Sequence, residues 1–130
     1  MSDRGKVVLL DKDREAQENG ILRELLAKHA SVWFARDLSE ALDLLEDDHF
    51  DALFCNWSYE GGTWRDALAT VQKRFPYLPT IVVHHSGEES EWVEVLNAGG
   101  ADLLAAPYNE ALVQSVLDHA AKSRAAQATG

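Results

Sequence analysis

The sequence predicts a single α/β domain, in which a doubly wound parallel sheet carries helices on both faces. First, five short apolar segments alternate with five segments of helical periodicity. Second, the apolar segment that ends at Asn56 shows no alternation of polar and apolar side chains, which is typical of a strand buried on both faces. Third, 130 residues are enough for one domain with a real core and too few for two.

The composition argues against several classes of function. With 22 acidic residues against 12 Lys and Arg, the formal charge is -10, which opposes binding to nucleic acid or to anionic membrane surfaces. No apolar run approaches the ~20 residues of a membrane helix, and no signal peptide is recognisable at the N-terminus. Cys55 is the single cysteine, so no internal disulfide can form, and we expect it to be inert in the core of a cytoplasmic protein.

The first half of the chain shows two strands, each followed by a helix. The first strand, residues 6–10, ends in an acidic cluster, and Asp13 is placed to cap the helix that follows. The second strand covers residues 31–35. Asp37 with Glu40 three residues later is typical of a capping box at the start of the second helix.

The third strand, residues 50–56, leads into a loop at residues 57–62, and Thr63 with Asp66 predicts the start of the third helix. The fourth strand, residues 80–83, runs into His84.

The fourth helix starts at a cap formed by Ser86 and Glu89 and stops at Gly99. A fifth strand within residues 101–105 and a last helix complete the chain. The domain is predicted to cover residues 6–122, between flexible ends at residues 1–5 and 123–130. Right-handed crossovers favour the flavodoxin-like strand order 2-1-3-4-5.

Over residues 6–122 the chain resembles the receiver domain of two-component response regulators. The order and spacing of five features carry the resemblance: Leu10-Asp11-Lys12-Asp13, Phe50-Asp51, Pro79, Leu96-Asn97-Ala98-Gly99 and Ala106-Pro107-Tyr108. The resemblance implies a signalling module in which a paired acidic cluster and an aspartate after the third strand hold magnesium. That aspartate takes phosphate from a histidine kinase, and a hydroxyl and a lysine contact the phosphoryl oxygens.

Most positions of this site depart from the family pattern. Asp11 keeps the first acid, and Asn56 stands where the family has its phosphoacceptor aspartate. The remaining positions are Lys12 for the second acid, His84 for the hydroxyl, Ala106 for the lysine and the retained Pro107, with Leu103 in place of a switch aromatic. A carboxamide cannot form an acyl phosphate, and an ammonium group at position 12 repels magnesium. We therefore expect no cofactor, no metal and no enzymatic activity, and we expect the Ala106-Pro107 bond to be cis.

Several roles in this degenerate pocket stay open. The Lys12 ammonium either bridges Asp11 and Asn56 or points to solvent. His84 and His85 suggest zinc, but neighbouring strand residues point to opposite sides, so a shared ion is not expected. His84 is interpreted as a polar residue that closes the pocket, with pH sensing as the alternative.

The four tryptophans have different expected roles. Trp33 and Trp64 are expected to pack ordinarily, and Trp57 to cover the pocket. Trp92 fits the core by its spacing to Val95 and Leu96; alternatively it belongs to an interaction surface. The resemblance places that surface on the fourth helix, fifth strand and fifth helix, with Trp92, Leu103 and Tyr108, where a histidine kinase, another signalling protein or a second copy would bind. The acids of the fourth helix, including Glu91 and Glu94, are expected to form its solvated face.

Three functions follow from these observations. The leading hypothesis is a stand-alone receiver-like module that acts by protein contact without phosphorylation. The alternative is a phosphorelay receiver that is regulated by another route, with phosphate on His84 or on Ser86. A flavodoxin-like enzyme or nucleotide binder is disfavoured, because the loop of residues 11–15 is acidic where a phosphate cradle needs glycine and backbone donors.

Overall fold

The computed structural model describes residues 5–11, 17–84, 89–105 and 108–129. Six residues that carry predictions lie outside the described part of the chain: Lys12, Asp13, His85, Ser86, Ala106 and Pro107. Their predicted roles, including the Lys12 bridge, the two caps and the cis peptide bond, stay predictions.

Five parallel strands form the main sheet of the described residues. The strands are β1 (Gly5–Leu10), β2 (Ala30–Ala35), β3 (Ala52–Asn56), β6 (Thr80–His84) and β7 (Asp102–Ala105). Numbered among themselves, these five strands have the order 2-1-3-4-5, so the predicted topology is confirmed.

A small antiparallel ribbon follows β3, where the sequence predicts only a loop. It consists of β4 (Ser58–Tyr59) and β5 (Gly62–Thr63), which pair with each other and not with the main sheet. Gly61 turns the chain with a φ of 90°, a conformation that glycine adopts without steric cost. The ribbon is missed because two-residue strands are too short to show a periodicity.

The described residues form five helices, of which the first four connect strands and the last follows β7: α1 (Gln17–His29), α2 (Leu38–Asp47), α3 (Trp64–Arg74), α4 (Glu89–Asn97) and α5 (Glu110–Thr129). The predicted start of α2 is confirmed, since Asp37 Oδ1 accepts a hydrogen bond from the backbone N–H of Glu40 at 2.9 Å. Gly99, at a φ of 101°, ends α4 as predicted. Helix α5 continues beyond the predicted domain boundary at residue 122.

Two apolar layers enclose the sheet, because successive strand residues point to opposite faces. On one face α2, α3 and α4 pack against residues that include Leu53, Cys55 and Val82. On the other face α1 and α5 pack against residues that include Phe54 and Ile81. Residues 52–55 are all buried, which confirms that β3 is covered on both faces. Within the described residues, no helix has the length and apolar character needed to cross a membrane.

Candidate functional site

The candidate site lies where β1, β3 and β6 end, at the carboxyl edge of the sheet. Leu10 is the register partner of Cys55, so Asp11 and Asn56 follow at the same level on neighbouring strands. Asn56 pairs in turn with Val83, which places His84 at the end of the next strand. The structure therefore brings together the three predicted pocket residues that it describes.

The amide of Asn56 is held by two acceptors. Its Nδ2 donates to Asp11 Oδ1 and to the backbone carbonyl oxygen of Ser58, each at 3.0 Å. The opposite amide orientation would place its oxygen against a carboxylate and a carbonyl, neither of which has a hydrogen to donate. Asp11 is only 1% exposed, so this contact is made away from solvent. Asn56 thus supplies hydrogen-bond donors at the carboxyl end of β3.

His84 closes the site from the β6 side and is 7% exposed. Its ring stacks on Trp57, with centroids 4.1 Å apart and planes inclined by 10°. Its Nε2 lies 3.0 Å from Glu91 Oε2 of α4, and because an ionised carboxylate can only accept, Nε2 carries the hydrogen. The stacking places Trp57 over His84, which is one of the pocket residues.

Cys55 precedes Asn56 and points away from the site into the core. Its side chain is fully buried, as expected, and its Sγ lies 3.4 Å from the carbonyl oxygen of Asn56. Burial raises the pKa of the Cys55 thiol, and the charge of Asp11 raises it further. A thiol in this position stays protonated and is a poor nucleophile.

The described residues contain no group of three or more His, Cys, Asp or Glu side chains arranged to hold a metal ion. Asp11 and Asn56 offer oxygen atoms, but the bonded Asn56 amide turns its nitrogen toward Asp11. The residues nearest in sequence, 12–16, lie outside the described part of the chain.

The predicted surface residues occupy different environments. Trp92 is 44% exposed, so its expected packing in the core is wrong, and its Nε1 donates to Asp102 Oδ1 at 3.2 Å. The spacing of Trp92 to Val95 and Leu96 predicted a shared buried face, but of these three residues only Val95 is buried. Leu103 and Tyr108 are half-buried, and they pack against the opposite faces of the sheet.

Sequence reasoning missed the acids that complete the site. Glu91 contacts His84, and Glu94 forms an ion pair with Arg65 at the start of α3. The expectation of a solvated face is therefore wrong for Glu91, whereas Glu94 remains exposed in its ion pair. A pattern of acids at helical spacing gives no indication of which side chains meet a partner from another element.

Known proteins resemble the chain over most of its length. It is 31% identical over 117 residues to the response regulator protein FleR of Pseudomonas aeruginosa, a match that covers 88% of this chain and 24% of FleR. It is 33% identical over 106 residues to the transcriptional regulatory protein CpxR of Escherichia coli K12, covering 81% of this chain and 44% of CpxR. The chain thus corresponds to less than half the length of either relative.

The structure agrees with these sequence matches. The signal receiver domain of an HD domain-containing protein from Pseudomonas fluorescens Pf-5 superposes with a TM-score of 0.83 at 19% identity, covering 99% of this chain and 95% of that one. This chain is a receiver domain of the response-regulator family. No protein-family model matches it.

Proposed function

We propose that this receiver domain has lost the phosphoacceptor aspartate and acts by phosphorylation-independent contact with other proteins. The observation that carries the proposal is the pair of hydrogen bonds from Asn56 Nδ2 to Asp11 and Ser58. An amide bonded in this way is not a nucleophile, and it holds Asp11 in a contact that needs no metal ion. The pocket then stays in one state, and the domain would act as an adaptor, a decoy or a docking surface.

The alternative route, phosphorylation of His84, is disfavoured by the surroundings of that ring. The imidazole is buried, stacked on Trp57, and turns its Nε2 to Glu91. A phosphoryl donor would have to displace both contacts and bring its charge next to a carboxylate. Phosphate on Ser86, or a nucleotide bound near residues 12–16, involves residues outside the described part of the chain, and no observation favours either.

The proposed binding surface includes the exposed side of α4 with the neighbouring edge of β7 and α5. Trp92 lies there beside Asp102, and His119 Nδ1 of α5 lies 3.7 Å from Asp102 Oδ2. A signalling protein such as a histidine kinase, or a second copy of the chain, would bind here. The single cysteine favours the cytoplasm as the compartment.

The loss of phosphorylation is tested by incubation with acetyl phosphate, or with beryllofluoride and magnesium. We expect no mass adduct and no change in tryptophan fluorescence. Trp57 makes the fluorescence sensitive to the site, and the Trp57→Phe variant serves to assign any signal to it. A specific adduct mapped to one residue would contradict the proposal, and an adduct on His84 would establish the alternative.

The binding role is tested with partners captured from the native host. A signalling protein that binds the wild type, and that the Trp92→Ala variant binds at least about tenfold more weakly, would support the surface. Sedimentation of the wild type and of the Trp92→Ala variant, each without a partner, distinguishes a homodimer from a monomer. Equal capture by both proteins would remove Trp92 from the surface.

A further inference from the structure

An aromatic stack connects the candidate site to the start of α3. His84 lies on Trp57, and Trp57 contacts Trp64, with centroids 5.4 Å apart and planes inclined by 42°. The guanidinium of Arg65 lies 4.7 Å from the centroid of the Trp64 ring. The stack thus runs from a buried imidazole at the strand ends to a cation at the surface.

Both ends of this aromatic stack are bound to α4. Glu91 contacts His84 at one end, and Glu94 pairs with Arg65 at the other. Residues three apart lie on the same face of a helix, so α4 uses one face for both contacts. The side chains of Glu91 and Glu94 are 23% and 41% exposed, so the contact at the His84 end is the better shielded of the two.

The next residue along α4 faces the other way. Trp92 directly follows Glu91, and together with Val93 and Leu96 it forms an exposed apolar side of the helix. A rotation or displacement of α4 that breaks the contact between Glu91 and His84 would also move Trp92 relative to Asp102, to which it donates a hydrogen bond. The polar contacts on one side of α4 therefore fix the position of its exposed apolar side relative to the rest of the domain.

We propose that the aromatic stack is a latch that fixes α4 to the strand ends, and that breaking it at His84 releases α4 and alters the exposed apolar side. The inference rests on the proposed function, since the surface that the latch controls is the one proposed to bind.

The latch acts mainly through His84, for two reasons. The contact with Glu91 is largely buried, where an electrostatic interaction is weakened little by water and salt. The pair of Arg65 and Glu94 is exposed, and exposed ion pairs hold helices weakly. His84 is also the group that joins the helix to Trp57 and so to the pocket.

The test uses two variants of His84, each of which keeps one of its two contacts, the stack on Trp57 or the hydrogen bond to Glu91. His84→Phe keeps a ring that can stack on Trp57 but has no donor for Glu91. His84→Gln keeps an amide donor but loses the stack. Glu91→Met removes the acceptor from the opposite side with little change in volume, and because Glu91 lies on a helix surface, this variant keeps the fold if the substitutions at His84 do not.

The measurement is hydrogen–deuterium exchange of the peptide that contains α4, with the peptide of α2 as internal control. We expect exchange in α4 to rise about tenfold in His84→Phe and in Glu91→Met, the effect of losing one hydrogen bond to a charged group, and to rise less in His84→Gln, with α2 unchanged. Quenching of Trp92 fluorescence by acrylamide should rise in the same variants. Unchanged exchange in α4 in Glu91→Met, with the fold intact by circular dichroism, would overturn the latch.

The latch and the proposed function fail in different ways. Exchange in α4 is measured without any partner, so it tests the latch alone. If α4 loosens in the variants but no partner distinguishes the wild type from Trp92→Ala, the latch stands and the proposed surface falls. If the partner binds through Trp92 while α4 does not respond, the surface stands and the latch falls.

Discussion

The candidate site has two halves that are built differently. On the side of β1 and β3, Asn56 donates to both Asp11 and Ser58, and all three lie on or next to the sheet. On the side of β6, His84 is bonded to Glu91, which belongs to a helix at the surface. The first half joins parts of the molecule that are already fixed by strand pairing, whereas the second half joins the sheet to a helix that strand pairing does not hold.

This difference separates the roles of the two halves in the proposed function. The first half presents a bonded amide where the resemblance to the family places the phosphoacceptor. The second half forms a physical link between the pocket and α4. The proposed function thus assigns the loss of phosphorylation to the first half, and the proposed latch belongs to the second.

The largest expected effect concerns the rigidity of the first half. Cys55 lies beside Asn56 in the core, so a thiol reagent should modify it at least about a thousandfold more slowly in the native protein than in the unfolded chain. The measurement is the rate of labelling with and without denaturant. Rapid labelling of the native protein would show that β3 opens and that the first half is not fixed.

Alkaline pH tests the same region. Burial raises the pKa of the Cys55 thiol above its ordinary value of 9.0 and that of the Tyr59 hydroxyl to about 12. A raised pKa in the folded state means that the unfolded chain loses its protons first, so the free energy of unfolding should fall as the pH rises above 9. Denaturant unfolding at a series of pH values measures the fall. The Cys55→Ala variant should show a shallower fall, and an identical pH profile would contradict the assignment.

The Asn56→Asp substitution should destabilise the domain by about 2 kcal/mol in the absence of a divalent ion. It removes the two donors to Asp11 and Ser58 and places two carboxylates together. Protonation of one carboxyl group relieves the repulsion, so the deficit should be smaller at about pH 5 than at about pH 8. Urea unfolding with and without magnesium measures both effects.

Asn56→Ala is the matched control, since it removes the donors without adding a charge, and it should lose only about 1 kcal/mol. We expect no phosphorylation of Asn56→Asp by acetyl phosphate, because residues 12 and 106 still depart from the family pattern. Wild-type stability together with full phosphorylation of this variant would show that the first half is a nearly intact receiver site.

A change at the end of α4 tests the second half. Gly99 has a φ of 101°, so Gly99→Ala should destabilise the domain by about 1 kcal/mol. A Cβ atom there would also meet the side chain of Gln72, which has to move aside. Exchange in α4 should rise while labelling of Cys55 changes only by the factor that the lower global stability predicts. If exchange in α4 and labelling of Cys55 rose equally, and by more than that factor, the two halves would move together.

The smallest effect is expected at the exposed end of the aromatic stack. Glu94→Gln should change the free energy of unfolding by less than about 0.5 kcal/mol, because its ion pair with Arg65 is exposed to solvent. Added salt should reduce even this difference. Thermal unfolding at low and high salt measures it. If Glu94→Gln lowered the free energy of unfolding as much as Glu91→Met does, both ends of the stack would contribute equally to stability.

Several features of this protein could be predicted from the sequence because they depend on local patterns. The periodicity of apolar residues predicted five strands and their parallel order, and the pair Asp37 and Glu40 located the start of α2. The residue types at positions 11, 56 and 84 showed which chemical groups the pocket contains. Even the general placement of Trp57 over the pocket follows from its position directly after Asn56.

The partners of those groups were decided only by the tertiary structure. Asn56 meets Asp11 across 45 residues of chain, and Glu91 meets His84 because a helix packs beside a strand end. Neither contact leaves a periodic pattern, since each depends on the relative placement of two separate elements. The same reason explains Trp92, whose helical spacing indicated the core and whose packing left it exposed. The sequence by itself thus determined the fold and the presence of a carboxamide at position 56, whereas packing determined which groups that carboxamide contacts.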